Sequence, residues 1–147
     1  MARLYEDLTV GDQFQFHEYV VTAEEIREFA EQFDPQPFHL DVEAAADSIF
    51  DEIVASGWHT ASLSIRMLVD SVFSDVAIMG GRGVNELRWH VPVYPGDILS
   101  GYTEIIEKSV IDPDSSRGNV NFAVTVTNQD NEMVLSYMTL SMVRRAD

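Results

Sequence analysis

From Ser56 to Val69 the chain reads Ser-Gly-Trp-His-Thr-Ala-Ser-Leu-Ser-Ile-Arg-Met-Leu-Val, with almost no charge over its first ten positions. Small or apolar side chains occupy nearly every face of the helix this segment would form, the pattern of a helix surrounded by protein. Such a helix needs a wrapper, and the second half of the chain has the residues for one. Val84–Val93, Ile98–Ile111, Val120–Thr127 and Met133–Val143 carry β-branched and aromatic residues in partial alternation. Pro95-Gly96-Asp97, Asp112-Pro113-Asp114 and Asn128-Gln129-Asp130-Asn131 separate them with turn chemistry. Consecutive strands joined by short turns pair as an antiparallel meander. The expected architecture is α+β, an antiparallel sheet wrapped around a central apolar helix. With no repeat or linker, residues 1–147 read as one domain.

The first half has its own order. Leu8-Thr9-Val10-Gly11-Asp12 reads as a turn, and Phe14, Phe16 and Tyr19-Val20-Val21 as strand. Thr22 opens a helix with Glu25 three positions on, the spacing of a capping box. Ile26, Phe29, Ala30 and Phe33 recur at helical spacing and mark its buried stripe. Then comes Asp34-Pro35-Gln36-Pro37-Phe38-His39-Leu40-Asp41. Each proline fixes its own φ and disfavours helix at the residue before it, so Asp34 and His39 are expected on a stiffened, extended loop. Asp41 is placed to cap a short helix through Val42-Glu43-Ala44-Ala45-Ala46. A carboxylate and an imidazole held near each other are the minimal pair for moving protons at neutral pH. The plainer reading is a helix-stopping Asp34 and a structural His39.

The charge balance excludes whole classes of function. Asp and Glu number 25 against 9 Lys and Arg, a formal charge of −16. A field of that sign repels phosphate backbones and anionic bilayers, so neither nucleic acid nor a membrane surface is an expected partner. There is no cysteine, which removes disulfides, thiolate nucleophiles and Cys-ligated zinc. No paired histidine spacing points to a metal site, and none is expected. Met1-Ala2-Arg3-Leu4-Tyr5-Glu6-Asp7 has no apolar leader core and no stretch approaches membrane-spanning length, so the chain reads as cytoplasmic.

Three ordered landmarks give the chain a family resemblance. Asp34-Pro35-Gln36-Pro37-Phe38-His39-Leu40-Asp41 resembles the hydratase motif Asp-x-Asn-Pro-x-His-x-Asp of the MaoC-like dehydratases and (R)-specific enoyl-CoA hydratases. Ala55-Ser56-Gly57-Trp58-His59-Thr60-Ala61-Ser62-Leu63 is similar to that family's central-helix entry, where a Gly precedes a run of small residues. Trp89-His90-Val91-Pro92-Val93-Tyr94-Pro95-Gly96-Asp97 matches its aromatic-x-x-Pro-Val-x-x-Gly-Asp strand and turn. The resemblance implies a hot-dog fold, a homodimer built by pairing two sheets, and acyl-thioester substrates. It implies that Asp34 and His39 are the hydratase dyad, hydrating a trans-2-enoyl-CoA to a 3-hydroxyacyl-CoA or running the dehydration. Coenzyme A then enters as part of the substrate, and no separate cofactor is implied. The Gly57 N–H, at a helix N-terminus, would stabilise the thioester oxyanion. Three departures alter the surroundings of the dyad: Gln36 replaces the motif Asn, Phe33 replaces a preceding Gly, and Trp58-His59 is bulky.

The remaining candidates carry two readings each. Ser56 reads as the N-cap of the central helix and Trp58 as pocket wall; His59 is either a further polar group in the pocket or a neutral histidine in the core. His17 and His90 lie on expected strands and read as structural or surface residues. Gly80-Gly81-Arg82-Gly83 reads as a flexible approach to a strand, with Arg82 a candidate for a coenzyme A phosphate. Arg82, Arg88, Arg144 and Arg145 are placed to form a basic patch or to grip such phosphates directly. Because acidic carrier proteins would be repelled by this chain, coenzyme A is the expected carrier. Two alternatives stay open: a hot-dog thioesterase, for which Asp51, Glu52 or Asp70 would have to activate water, and an acyl-CoA-binding subunit without catalysis.

Overall fold

The computed structural model describes residues 1–147. Two short strands, β1 (Gln13–Gln15) and β2 (Tyr19–Val20), precede α1 (Ala23–Phe33). Two short helices follow, α2 (Pro37–Leu40) and α3 (Val42–Ala46), and then α4 (Gly57–Ser71). Four long strands complete the chain: β3 (Ile78–Trp89), β4 (Ile98–Ser109), β5 (Arg117–Thr127) and β6 (Met133–Arg144). The sheet runs β1-β4-β5-β6-β3 with β2 beside β4, and its pairings are antiparallel. One face of the sheet closes over α4, the hot-dog arrangement.

Local chemistry accounts for the elements. Thr22 accepts from the Glu25 N–H at 3.2 Å and caps α1, but the Glu25 carboxylate takes the Thr22 hydroxyl at 3.1 Å and not its backbone N–H, so the expected capping box is only half formed. In β5 burial alternates along the strand, with Val120, Phe122, Val124 and Val126 turned to the core. They meet Leu63, Met67 and Leu68 of α4 in a single apolar cluster.

The structure corrects four expectations. The proline segment does not stay extended: Pro37 sits at the first position of α2, where its missing N–H costs nothing, and His39 lies within that helix. The glycine run is not an approach to a strand but part of β3, which starts six residues before Val84 and ends at Trp89, short of the expected Val93. Its register with β6 shifts around Gly80 and Gly83, whose φ values of +157° and +155° favour glycine. Phe33 is 70% exposed instead of buried, since the inner stripe of α1 is Ile26 and Ala30. Finally, α4 is not enclosed on all sides. His59, Thr60, Leu63, Ser64, Met67 and Leu68 are buried, while Trp58, Ile65 and Val69 are exposed. The sheet covers one face of α4 and leaves the other exposed.

Candidate active site

Asp34 caps the C-terminus of α1, and Ser56 caps the N-terminus of α4. The packing of α1 on α4 brings these caps together. Ser56 Oγ donates to Asp34 Oδ2 at 2.6 Å, and Gln36 Nε2 donates to Oδ1 at 2.6 Å. His39 Nε2 stands 3.3 Å from Asp34 Oδ2. Its other nitrogen, Nδ1, lies 2.6 Å from the Val54 carbonyl oxygen. A carbonyl only accepts, so Nδ1 carries the hydrogen and neutral His39 presents a bare lone pair at Nε2. His39 and Ser56 are buried.

Burial pushes the Asp34 carboxyl up, but the hydrogen bonds from Ser56 and Gln36 and the nearby His39 outweigh it. Its pKa is held below the usual carboxylate range. The site therefore sets an ionised carboxylate beside an imidazole whose Nε2 donates to Asp34 when it carries a proton and offers a lone pair when it does not.

The dyad opens into a cavity of about 390 Å³. Phe38, Phe50, Val54, Val91 and Pro92 line it, with Gly57, Trp58, Thr60 and Trp89 at the helix end. Gly57 is the first residue of α4, so its N–H has no acceptor inside the helix. The positive end of the helix dipole makes that position favourable for developing negative charge. Trp89 Nε1 donates to the Gly57 carbonyl at 2.8 Å. Its ring packs so closely that a Cβ on Gly57 would lie 2.5 Å from Trp89 Cε2. Glycine is required here by contact, not by backbone angle.

The sequence-derived residues divide into two groups. Asp34, His39, Ser56, Gly57 and Trp58 come together at this cavity. His59 and Arg82 are not on its wall. His59 is buried against Phe29, ring centroids 4.9 Å apart, with Nε2 3.5 Å from Glu25 Oε1. Burial holds its pKa below the ordinary value, against the pull of Glu25. Arg82 lines a separate hollow with Arg117. His90, read from sequence as structural or surface, borders the cavity with Nε2 2.7 Å from Ser136 Oγ. Its place directly after Trp89, in a motif that carries the resemblance, was the available signal. Asp51, Glu52 and Asp70 do not line the cavity. Nor does any group of three His, Cys, Asp or Glu side chains stand together as a metal site.

Comparison with known proteins gives the chain a family. The MaoC-like dehydratase from Rhodospirillum rubrum superimposes with a TM-score of 0.91 at 39% identity, covering 99% of each chain. (R)-hydratase PhaJ1 from Pseudomonas aeruginosa superimposes with a TM-score of 0.77 at 26% identity, over 97% of this chain and 86% of that one. YdeM of Bacillus subtilis is 33% identical over 103 residues, 70% of this chain and 73% of its own. The sequence model of the MaoC-like domain matches residues 7–129, and the chain belongs to that family.

Proposed function

We propose that this protein catalyses reversible hydration of a trans-2-enoyl-CoA to a 3-hydroxyacyl-CoA. The observation that carries the reading is the locked tautomer of His39 beside an ionised Asp34, with an uncommitted N–H of Gly57 at the same cavity. Both groups facing the gap are acceptors, so they suit a water that donates one hydrogen to each. As the water oxygen bonds to C3 of the enoyl group, His39 Nε2 takes its proton and Asp34 stabilises the imidazolium. The π electrons move through C2 to the thioester oxygen, where the Gly57 N–H meets the charge. Collapse of that enolate takes the Nε2 proton onto C2. One water is added and the dyad returns to its starting state. Coenzyme A serves as the carrier portion of the substrate and the chemistry uses no further cofactor.

The same reading has the protein work as a homodimer. β3 is an edge strand with exposed apolar side chains, and the uncovered face of α4 lies in the same chain.

The test is the absorbance of the conjugated enoyl thioester, with crotonyl-CoA and longer or branched enoyl-CoAs, on wild type, Asp34→Asn and His39→Ala. Wild type is expected to consume the enoyl group without releasing thiol. Each variant should lose on the order of 10²–10⁴-fold in turnover while staying folded. Undiminished turnover in either variant refutes the dyad, and thiol release in place of hydration assigns the protein to thioester hydrolysis.

A further inference from the structure

Of the chain's 9 Lys and Arg, most are committed. Arg66 pairs with Asp70, Arg88 with Glu86, and Arg145 with Glu6. Lys108 donates to the Leu8 carbonyl and lies over the Tyr5 ring, and Arg3 lies over Phe14. Arg27, Arg82, Arg117 and Arg144 make no ion pair, although the chain has 25 carboxylate residues to offer.

Arg27 stands apart on α1, while the other three lie on the adjoining strands β3, β6 and β5. Arg117 on β5 is the register partner of Arg144 on β6. Like charges directly opposite on neighbouring strands are destabilising. Arg82 stands in the bulge of β3 between Gly81 and Gly83, the kind of irregularity that re-aims a side chain. It lines a hollow of about 370 Å³ with Arg117, Ser115, Asn119 and Asp112. Asp112 turns Oδ1 to the Asp114 N–H of its own turn at 3.0 Å and pairs with neither arginine. The wall formed by that turn is pinned by Arg145, which donates to the Pro113 and Ser115 carbonyls at 3.0 and 2.9 Å.

We propose that this hollow is a phosphate-binding site, with Arg82 and Arg117 as its ligands. An anion held between them relieves the repulsion across β5 and β6 and uses two planar forks suited to phosphate oxygens. The hollow is separate from the dyad's cavity: Arg82 lies about 20 Å from Trp89 along β3 at roughly 3.3 Å per residue. Binding there does not depend on the hydratase reading. Two sources present the same chemistry: the nucleotide phosphates of coenzyme A, and free phosphate.

The experiment is calorimetric titration of inorganic phosphate into wild type, Arg82→Gln, Arg117→Gln and Arg27→Gln. Arg27→Gln is an exposed change of equal charge outside the hollow. The expected result is saturable binding to wild type, weakened roughly tenfold or more by either hollow substitution and little changed in the Arg27 variant. Circular dichroism of each variant separates lost binding from lost fold. No saturable binding to wild type, or equal weakening by Arg27→Gln, overturns the proposal. A repeat with saturating coenzyme A or dephospho-coenzyme A identifies the source. Competition from coenzyme A alone assigns the hollow to its 3′-phosphate, and binding of phosphate alongside both assigns it to the free ion.

Discussion

Ser56 makes two commitments with one hydroxyl: it accepts from the Trp58 N–H as the cap of α4 and donates to Asp34. The second bond is part of what holds the Asp34 pKa down. In Ser56→Ala that pKa should rise, read by NMR titration of the Asp34 carboxyl; an unmoved titration would assign the control to Gln36 and His39. The sign for stability follows from linkage. A carboxyl whose folded pKa lies below the ordinary 3.8 contributes stability above that value and loses it as pH falls through the lowered one. Ser56→Ala therefore narrows the acid window and lowers stability at neutral pH. Gly57→Ala acts through packing. Its Cβ would strike the Trp89 ring, so the indole must leave and its bond to the Gly57 carbonyl breaks. The expected cost is about 1–3 kcal/mol of stability, with a shift in tryptophan emission and a fall in kcat/KM. Truncating the ring in a Gly57→Ala, Trp89→Ala double variant should remove the clash, making the two changes less than additive in stability.

Between elements, the contact of α1 with α4 decides where Asp34 stands. Besides the Asp34–Ser56 bond it includes the buried meeting of Glu25 and His59. Glu25 lies in the first turn of α1, and its other oxygen takes bonds from Tyr19 and Thr22. His59 Nδ1 and Glu25 Oε1 have no hydrogen-bond partner, and burial of the ring disfavours its charged form more than Glu25 favours it. Desolvation lowers the folded-state pKa of His59 below 6.5. As pH falls below that value, the unfolded chain takes up the proton first and the folded state loses stability. Thermal melts should show a smaller drop between pH 7 and pH 5 in His59→Gln than in wild type. An identical drop in both would show that the interface is indifferent to this titration.

For the whole molecule, the open edge is the largest unfinished feature. β3 pairs with β6 on one side and with nothing on the other. Val84 on that strand is 52% exposed. Exposed edges invite pairing, and a second copy offers a matching strand. Sedimentation should find a dimer, and Val84→Lys should shift it towards monomer with a parallel loss of activity. A monomeric, fully active wild type would remove the dimer from the mechanism.

Much of this was legible in the chain. The four long strands, the Thr22 cap of α1 and the central helix follow from periodicity and turn residues, which act over a few positions. Asp34, His39 and Gly57 were legible as candidates through ordered motifs. Less legible was anything set by contact between distant segments. Phe33 satisfies the helical spacing of α1 yet points to solvent, because only docking on α4 decides which side of the helix is inner. Arg82 reads as a lone candidate until the bulge in β3 and the register of the sheet place it beside Arg117. His90 reads as bland until β3 carries it to the cavity rim. Local order came from the sequence because propensity and capping are short-range. The tautomer of His39, the ionisation of Asp34 and the grouping of free arginines came from tertiary structure, because each depends on a partner far along the chain: Val54, Ser56 and, for Arg82, Arg117.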